Sequence, residues 1–275
     1  MICAKQVLDP EGVNGYALWG RLGVDESGRS FDTGGSTIPH IINAYDEQAT
    51  EAALRIRDDA GEGNEGDVRI TAIASGDPAA ADVLKRCVAM GADSSVLVVD
   101  PEVAVADGFR TAKLLAAAIG ELGDVDLVLC GRQGSDYDQG AVPAVLAELL
   151  GSPLVTLASD VRIDGNGDGA AVRVTRALPE GEELVSAPLP AVVSVSNELG
   201  QARYPSSRGM MAARRNPPAE RAAADLLEGD DARVELMRLI VPDVQGHCEV
   251  IDGDSPEAKA QALMALLQGQ GMFDE

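Results

Sequence analysis

Residues 125–151, VDLVLCGRQGSDYDQGAVPAVLAELLG, constrain this chain more than any other stretch. Asp126-Leu127-Val128-Leu129-Cys130 is a short apolar run of the kind a strand shows when both faces of a parallel sheet bury it. Gly131 ends the run and a polar loop from Arg132 to Gln139 follows. Val142, Leu146, Leu149 and Leu150 then recur at helical spacing until Gly151 and Pro153 stop the helix. Strand, polar loop and helix in that order form the repeating unit of open α/β sheets, which bind ligands at the carboxyl ends of their strands. Unpaired N–H groups and the positive end of the helix dipole make an anionic group the expected guest of the loop.

The flanking sequence supplies neighbours for that unit. Residues 1–7 read as an opening strand, and 19–31 as two short β-type arms around Asp25-Glu26-Ser27-Gly28. Asn43 is the expected N-cap of a helix over 44–57 whose apolar face is Ala49, Ala52, Leu54 and Ile56, and 58–67 is a Gly- and acid-rich loop. A strand over 68–75 precedes Asp77 and Pro78, a cap and first-turn proline, and the helix they open runs to Met90, where Gly91-Ala92-Asp93 breaks it. Residues 95–99 read as a strand and 104–122 as a helix. This alternation predicts a doubly wound, mainly parallel, Rossmann-like α/β sheet.

After Pro153 the pattern shortens. Residues 155–163, 171–176, 183–185 and 191–195 are β-type runs separated by turn clusters such as 164–169, and they predict antiparallel strands continuing the sheet. Residues 197–215 read as a loop with short helical character. We place a domain boundary at 216/217: residues 1–216 form the α/β domain that holds the anion-binding unit, and 217–275 a C-terminal arm whose Ala- and acid-rich first part lacks core character. A last helix starts at Asp254-Ser255-Pro256-Glu257, and its stripe of Ala262, Leu263, Leu266 and Leu267 needs a surface to cover it.

Composition narrows the function classes. With 275 residues, 45% of them hydrophobic, the chain can bury a sizeable core, and with only 3% aromatics that core falls to Ala, Val and Leu. A formal charge of −23, from 22 basic and 45 acidic residues, argues against nucleic acid and anionic membrane as partners, since both need a basic footprint. Solubility, an acidic docking surface and a high-salt cytosol all accommodate this acidity; four of the basic residues are Lys and eighteen are Arg. Cys3, Cys87, Cys130 and Cys248 form no C-x-x-C pair, no signal peptide is evident, and no apolar run nears the roughly 18 residues of a membrane span. A cytoplasmic location is expected. His40 and His247 are too few for a His-rich metal site, and no nucleophile–base pair is evident, so neither a metal nor a catalytic residue is assigned.

Several blocks carry a family resemblance: Ala4-Lys5-Gln6-Val7, residues 42–49 (INAYDEQA), Ala89-Met90-Gly91-Ala92-Asp93, and Gly131-Arg132-Gln133-Gly134-Ser135-Asp136-Tyr137-Asp138. Residues 176–194 with Glu183, Pro190 and Val192-Val193, then Arg203-Tyr204-Pro205-Ser206 and Gly209-Met210-Met211, extend it. In order and spacing these blocks resemble the β subunit of electron transfer flavoproteins over nearly the whole chain. The resemblance implies a heterodimer with an α subunit, with FAD shared at the interface, and an adenine nucleotide, AMP or a second FAD, in this subunit. It implies acyl-CoA or other dehydrogenases as donors and a quinone oxidoreductase or ferredoxin-type acceptor. Carried over by position, the nucleotide-lining residues are Cys3, Asn43, Ala44, Tyr45, Asp46, Gly76, Gln133, Gly134, Ser135, Asp136, Tyr137, Asp138, Gln139, Gly140, Ala141 and Val142. Partner docking falls to Arg203, Tyr204, Pro205, Ser206, Ser207, Arg208, Gly209, Met210 and Met211.

The chain departs from the family pattern where Ala141 and Pro143 replace a Gln and a Gly, which removes a side-chain amide and a backbone N–H from the phosphate cradle. Ser207 stands where the family projects a leucine. Asp136 and Asp138 are read either as shaping the loop and binding the nucleotide or as solvated carboxylates of an Asx-turn. A stand-alone nucleotide-sensing protein of the stress type, acting as a homodimer, would use the same strand and helix alternation. An adenylating enzyme ranks last, since no Ser-Gly-Gly-rich loop is present.

Overall fold

The computed structural model describes residues 1–18, 20–29, 31–32, 38–61, 68–101, 107–165, 169–228, 233–241 and 248–272. Trp19, the expected helical residues 104–106, the centre of the 164–169 turn cluster, most of the loop over 58–67 and His247 lie outside them. The chain divides into two compact units, Met1–Leu239 and Ile240–Glu275.

The first unit is built on strands β1 (Ile2–Cys3), β6 (Thr71–Gly76), β7 (Ser94–Val99), β8 (Leu127–Gly131), β9 (Leu154–Asp164), β10 (Ala171–Leu178), β11 (Gly181–Pro188), β12 (Ala191–Val195) and β13 (Ala219–Ala222), with β2 (Gln6–Leu8), β3 (Gly23–Val24), β4 (Phe31–Asp32) and β5 (His40–Ile42) in small ribbons. The helices are α1 (Pro10–Leu18), α2 (Ala44–Asp59), α3 (Ala81–Met90), α4 (Gly108–Leu122), α5 (Ala141–Leu150), α6 (Ser207–Arg215) and α7 (Ala223–Leu226). Among the described residues the main sheet runs β11-β10-β9-β12-β8-β1-β6-β7-β13.

The sheet is doubly wound, as the alternation predicts. Helices α2 and α3 cover one face over Leu54, Leu84, Ala72 and Leu129, while α4 and α5 cover the other over Leu114, Leu146, Ile73 and Val128. Ala, Val and Leu dominate both layers. From β1 the chain steps outward through β6 and β7, then returns to the other side of β1 with β8, so the topological switch point lies between β1 and β8. In open α/β sheets that crevice is where ligands bind.

Two readings of the strands change. The opening strand leaves the sheet after Ala4, whose N–H still donates to the Ile73 carbonyl at 2.8 Å. Residues 6–8 instead pair antiparallel with β5, Val7 opposite Ile41. The run 191–195 is not part of the antiparallel continuation, because β12 pairs parallel with both β8 and β9, Val193 opposite Leu129 and Val155. All five of its residues are buried, and AVVSV lacks the alternation of a strand with one wet face, so it fits the sheet's interior. The antiparallel part is β9, β10 and β11.

Two short elements lie past the 216/217 boundary. Strand β13 pairs parallel with β7, Ala219 opposite Val96, and α7 follows it, both within Met1–Leu239. In the second unit α8 (Pro256–Gly269) opens as expected, with Pro256 in its first turn and the Ser255 hydroxyl accepting from the Ala258 N–H at 3.2 Å. No helix among the described residues is long and apolar enough to cross a membrane.

Candidate functional site

The crevice at the carboxyl ends of β1 and β8 is assembled from the first turn of α2 and the loop between β8 and α5. Where β1 breaks, the Lys5 N–H is free to leave the ladder and donates to Asp46 Oδ2 at 2.7 Å; Oδ1 of the same carboxylate accepts the Gly131 N–H at 2.9 Å. Asp46 thereby ties the ends of both strands to α2. Burial pushes its carboxyl up to about 7, against the hydrogen bonds from Lys5, Asn43 and Gly131 that favour the charged form. Only glycine fits at 131, since a Cβ there would lie 2.7 Å from that of Tyr45.

Asn43 occupies the N-cap position of α2, yet its side chain makes no cap hydrogen bond. Its amide instead donates to the Gln133 carbonyl at 2.9 Å and accepts the Ser135 N–H at 3.0 Å, and the side chain is buried. The expected cap is thus a clamp on the loop. Above it, Gly134 N–H donates to the Gln139 carbonyl (3.1 Å) and Gln133 Nε2 to Asp138 Oδ1 (2.7 Å), closing the loop on itself with Asp138 at φ +52°. Lys5 Nζ reaches both oxygens of Asp136 at 2.7 Å and lies 5.7 Å from the centre of the exposed Tyr137 ring.

Gly140 is the N-cap of α5, and a Cβ there would lie 2.8 Å from the Arg132 carbonyl. Ala141 and Val142 open the helix and Pro143 follows, buried, so the first turn keeps fewer free N–H donors than a proline-free turn would. Cys3 lies buried against Cys130, and this contact together with burial pushes the Cys130 thiol well above its ordinary range. Gly76 ends β6, one strand further out, where it packs on Ala80. The structure therefore places Cys3, residues 43–46 and residues 133–142 around the carboxyl ends of β1 and β8, with Gly76 at the neighbouring strand end.

Sequence reasoning assigned no role to Lys5, or to Arg132, whose guanidinium stacks over Tyr45 at 5.5 Å. It also missed a cavity of about 310 Å³ on the α5 side of the loop, lined by Arg132, Gln133, Gly140, Pro143, Leu157 and Ser194. Leu157, at φ +61°, is a non-glycine residue in the left-handed region, and the β9–β12 register shifts beside it. The lone cue in the sequence was the polar Thr156 and Ser194 within otherwise apolar runs.

Comparison with known proteins decides the family. Residues 36–226 match the electron transfer flavoprotein domain. The chain is 32% identical to the caffeyl-CoA reductase–Etf complex subunit CarD of Acetobacterium woodii, covering 98% of this chain and 97% of that one. It is 33% identical to the electron transfer flavoprotein subunit beta of Syntrophomonas wolfei (96% and 93% covered) and 33% identical to that of Megasphaera elsdenii (86% and 82%). The chain belongs to the electron transfer flavoprotein β-subunit family. Such β subunits are electron-carrier subunits, and membership implies an α-subunit partner.

The segment of this β subunit that the resemblance gives to partner docking is a second, separate feature. Arg203 donates to Glu51 through its backbone N–H (3.1 Å) and its guanidinium (2.8 and 3.1 Å), and to Asp58 at 2.7 Å. Burial pushes Glu51 up, but hydrogen bonds from Arg203 and Arg55 outweigh it and hold the carboxyl below its ordinary value. Ser206 caps α6 by accepting the Gly209 N–H at 2.9 Å. Gly209 is needed because a Cβ there would run into the Ala89 carbonyl oxygen of α3. Tyr204, Met210 and Met211 are exposed, as are Ser207 and Arg208. Among the described residues no three of His, Cys, Asp and Glu gather as a metal site.

Proposed function

We propose that this β subunit binds AMP in the crevice formed by Cys3, residues 43–46, Gly76 and residues 133–142, and works in the cytoplasm as half of a heterodimer whose α subunit bears FAD. The single observation that carries the reading is the loop between β8 and α5, whose backbone is fixed from beneath by Asn43 and Asp46 at the switch point of the sheet. The residues fit a nucleotide with one phosphate. Gly140 lets a ligand approach the backbone, the first-turn N–H groups of α5 offer donors, and Arg132 supplies positive charge. Ala141 brings no amide and Pro143 no N–H, each absent neutral hydrogen bond being worth about 0.5–1.5 kcal/mol, so a pyrophosphate is served less well than a monophosphate.

The nucleotide has an assembly role in this reading, and electrons pass through the FAD at the interface. Bound FAD supplies the redox couple; this chain orders the interface, shields it and docks partners. Dehydrogenases, including acyl-CoA dehydrogenases, dock on residues 203–211 as donors, and a quinone oxidoreductase or ferredoxin-type protein accepts the electrons. Helix α8, in the arm over 217–275, docks on the α subunit, so that truncation before Asp254 lowers heterodimer recovery in a pull-down. The isolated chain, having no nucleophile–base pair, shows no dehydrogenase-linked dye reduction.

The deciding experiment denatures the co-expressed heterodimer and chromatographs what it releases. One FAD and one AMP are expected. Two FAD would replace AMP by a second flavin and make the chain a bifurcating type, and FAD alone would overturn the nucleotide reading. Gly140→Val should lower AMP content and heterodimer yield together; full AMP in that variant would place the site elsewhere.

A further inference from the structure

We propose that the cavity between the 132–140 loop and the seam of β9 and β12 binds a small organic monoanion, a carboxylate on an apolar stem. Arg132, Thr156 and Ser194 hold the carboxylate, and Pro143, Leu154 and Leu157 enclose the stem. The site is distinct from the nucleotide crevice and does not depend on it. Cys3, residues 43–46 and Gly76 do not line the cavity, and the two share only Gln133 and Gly140 of the loop.

The backbone makes the space. Val193 of β12 stands opposite Val155 and Val195 opposite Ala158, so Thr156 and Leu157 together face the single residue Ser194. An extra residue on one strand is a bulge, which bends that strand and re-aims its side chains, and here Leu157 takes it up at φ +61°. A leucine in the left-handed region is strained, and such strain gathers at ligand sites. The small Gly140 and Ala144 leave the opening unfilled at about 310 Å³, near the lower end of the range for small-molecule pockets.

The polar groups around that space have spent their acceptors and kept their donors. Ser194, only 3% exposed, accepts the Leu157 N–H at 3.4 Å, and its own proton has no acceptor among the described residues. Thr156 Oγ1 accepts from Arg176 Nη2 at 3.2 Å, which leaves its proton to give. Arg132 is the one ionisable side chain in the lining. Its guanidinium donates to Gln133 Oε1 at 3.2 Å and to Ser196 Oγ at 3.5 Å, stacks on Tyr45, and meets no carboxylate among the described residues. Glu198 lies within its field but is hydrogen-bonded to Ser196 instead.

Donors around one fixed positive charge, with no acid beside them, select a single negative charge, and the planar guanidinium fork matches a carboxylate. A phosphate monoester brings about −1.5 to −2, which one arginine does not balance. Pro143 also puts a ring at the wall where another residue of the helix start would offer an N–H.

The test titrates the co-expressed heterodimer with benzoate by isothermal calorimetry, against benzamide and benzylamine, which keep the ring and change the charge. Benzoate should bind at least about tenfold tighter than benzamide, and benzylamine should not bind. Arg132→Gln should bring benzoate down to the level of benzamide, and Ser194→Ala should weaken it about threefold to tenfold. Ala144→Phe, at an exposed position of α5 outside the nucleotide crevice, should fill the cavity and abolish benzoate binding, while heterodimer yield and nucleotide content stay as in the wild type.

Equal binding of benzoate and benzamide, inorganic phosphate binding tighter than benzoate, or benzoate binding that survives Ala144→Phe overturns the proposal. So does a heterodimer that takes up no benzoate at ~10 mM. Binding by the isolated chain that is lost in the heterodimer would give the cavity to a carboxylate side chain of the α subunit, and the free ligand would be ruled out. Release of FAD alone from the denatured heterodimer would sink the nucleotide reading and leave this result standing.

Discussion

The loop over 132–140 and the segment over 203–211 have equal length and sit at the ends of core elements, yet they are held in opposite ways. The first is gripped from below by buried polar groups, Asn43 and Asp46, that act on its backbone. The second is anchored at its entry by Arg203 and seated by small residues, Gly209 and Ala213, which leaves its large side chains outward. A surface that must admit a small ligand close to the main chain gains from a fixed backbone and from glycines. A surface that must meet a protein gains from exposed side chains on a fixed helix.

The contrast breaks most sharply at Asp46. Replacing it with Ala leaves the part-buried N–H of Lys5 and the buried N–H of Gly131 without their acceptor, and at about 1–3 kcal/mol for each such group the loss should be about 2–6 kcal/mol in urea unfolding. A loss below about 1 kcal/mol would mean that the strand ends are held by something else. Asp46 also gives the loop a pH signature. Its folded value, about 7, lies above the ordinary 3.8, so the fold holds a proton that the unfolded chain releases between them. The stability this group contributes is full below about pH 4 and is lost as pH rises through 7, so the gap between the wild type and Asp46→Asn should change across that window.

Glu51 should behave with the opposite sign. Its folded value lies below the ordinary 4.5, so its contribution is present above that pH and fades as acid protonates it. Glu51→Ala removes the charged acceptor of Arg203 and Arg55 and should cost about 1–3 kcal/mol, charged hydrogen bonds being worth about 1.5–3 each and both arginines retaining access to water. Its effect on docking should exceed its effect on nucleotide content; the reverse outcome would show that the two regions are not independent. The smallest change belongs to Lys5→Ala. Lys5 is nearly half exposed, and its pair with Asp136 should contribute less than about 1 kcal/mol, read as a small shift of the denaturation midpoint at low salt.

The sequence announced the β8–loop–α5 unit to within two residues at each end, because a doubly buried strand is continuously apolar and Gly140, Gly151 and Pro153 punctuate the helix. The cap at Asp77 and the start of the last helix around Ser255-Pro256 were legible for the same local reason. What it left dark was set by distant neighbours. Asn43 has the residue type and position of a cap, and only the fold shows that residues 133–135 outcompete the helix for its amide. Lys5 and Asp136 are separated by 131 positions. Helix α1 carries Gly12 and Gly15 within nine residues, which blunts its periodicity, and β13 is a polar AERA that forms a strand because the β7 edge offers it hydrogen bonds.

The place of β1 in the middle of the sheet bears on how the chain is made. Ile2 pairs with Ala72 on one side and Leu129 on the other, so neither flank exists when β1 is synthesised. At about 5–20 residues per second, translation leaves β1 waiting roughly 6–25 s for its second neighbour. Its two-residue length presents little unpaired edge meanwhile, whereas the longer meander of β9, β10 and β11 can close on itself from adjacent sequence as soon as it emerges. The last strand to be translated among the described residues, β13, then covers the free side of β7.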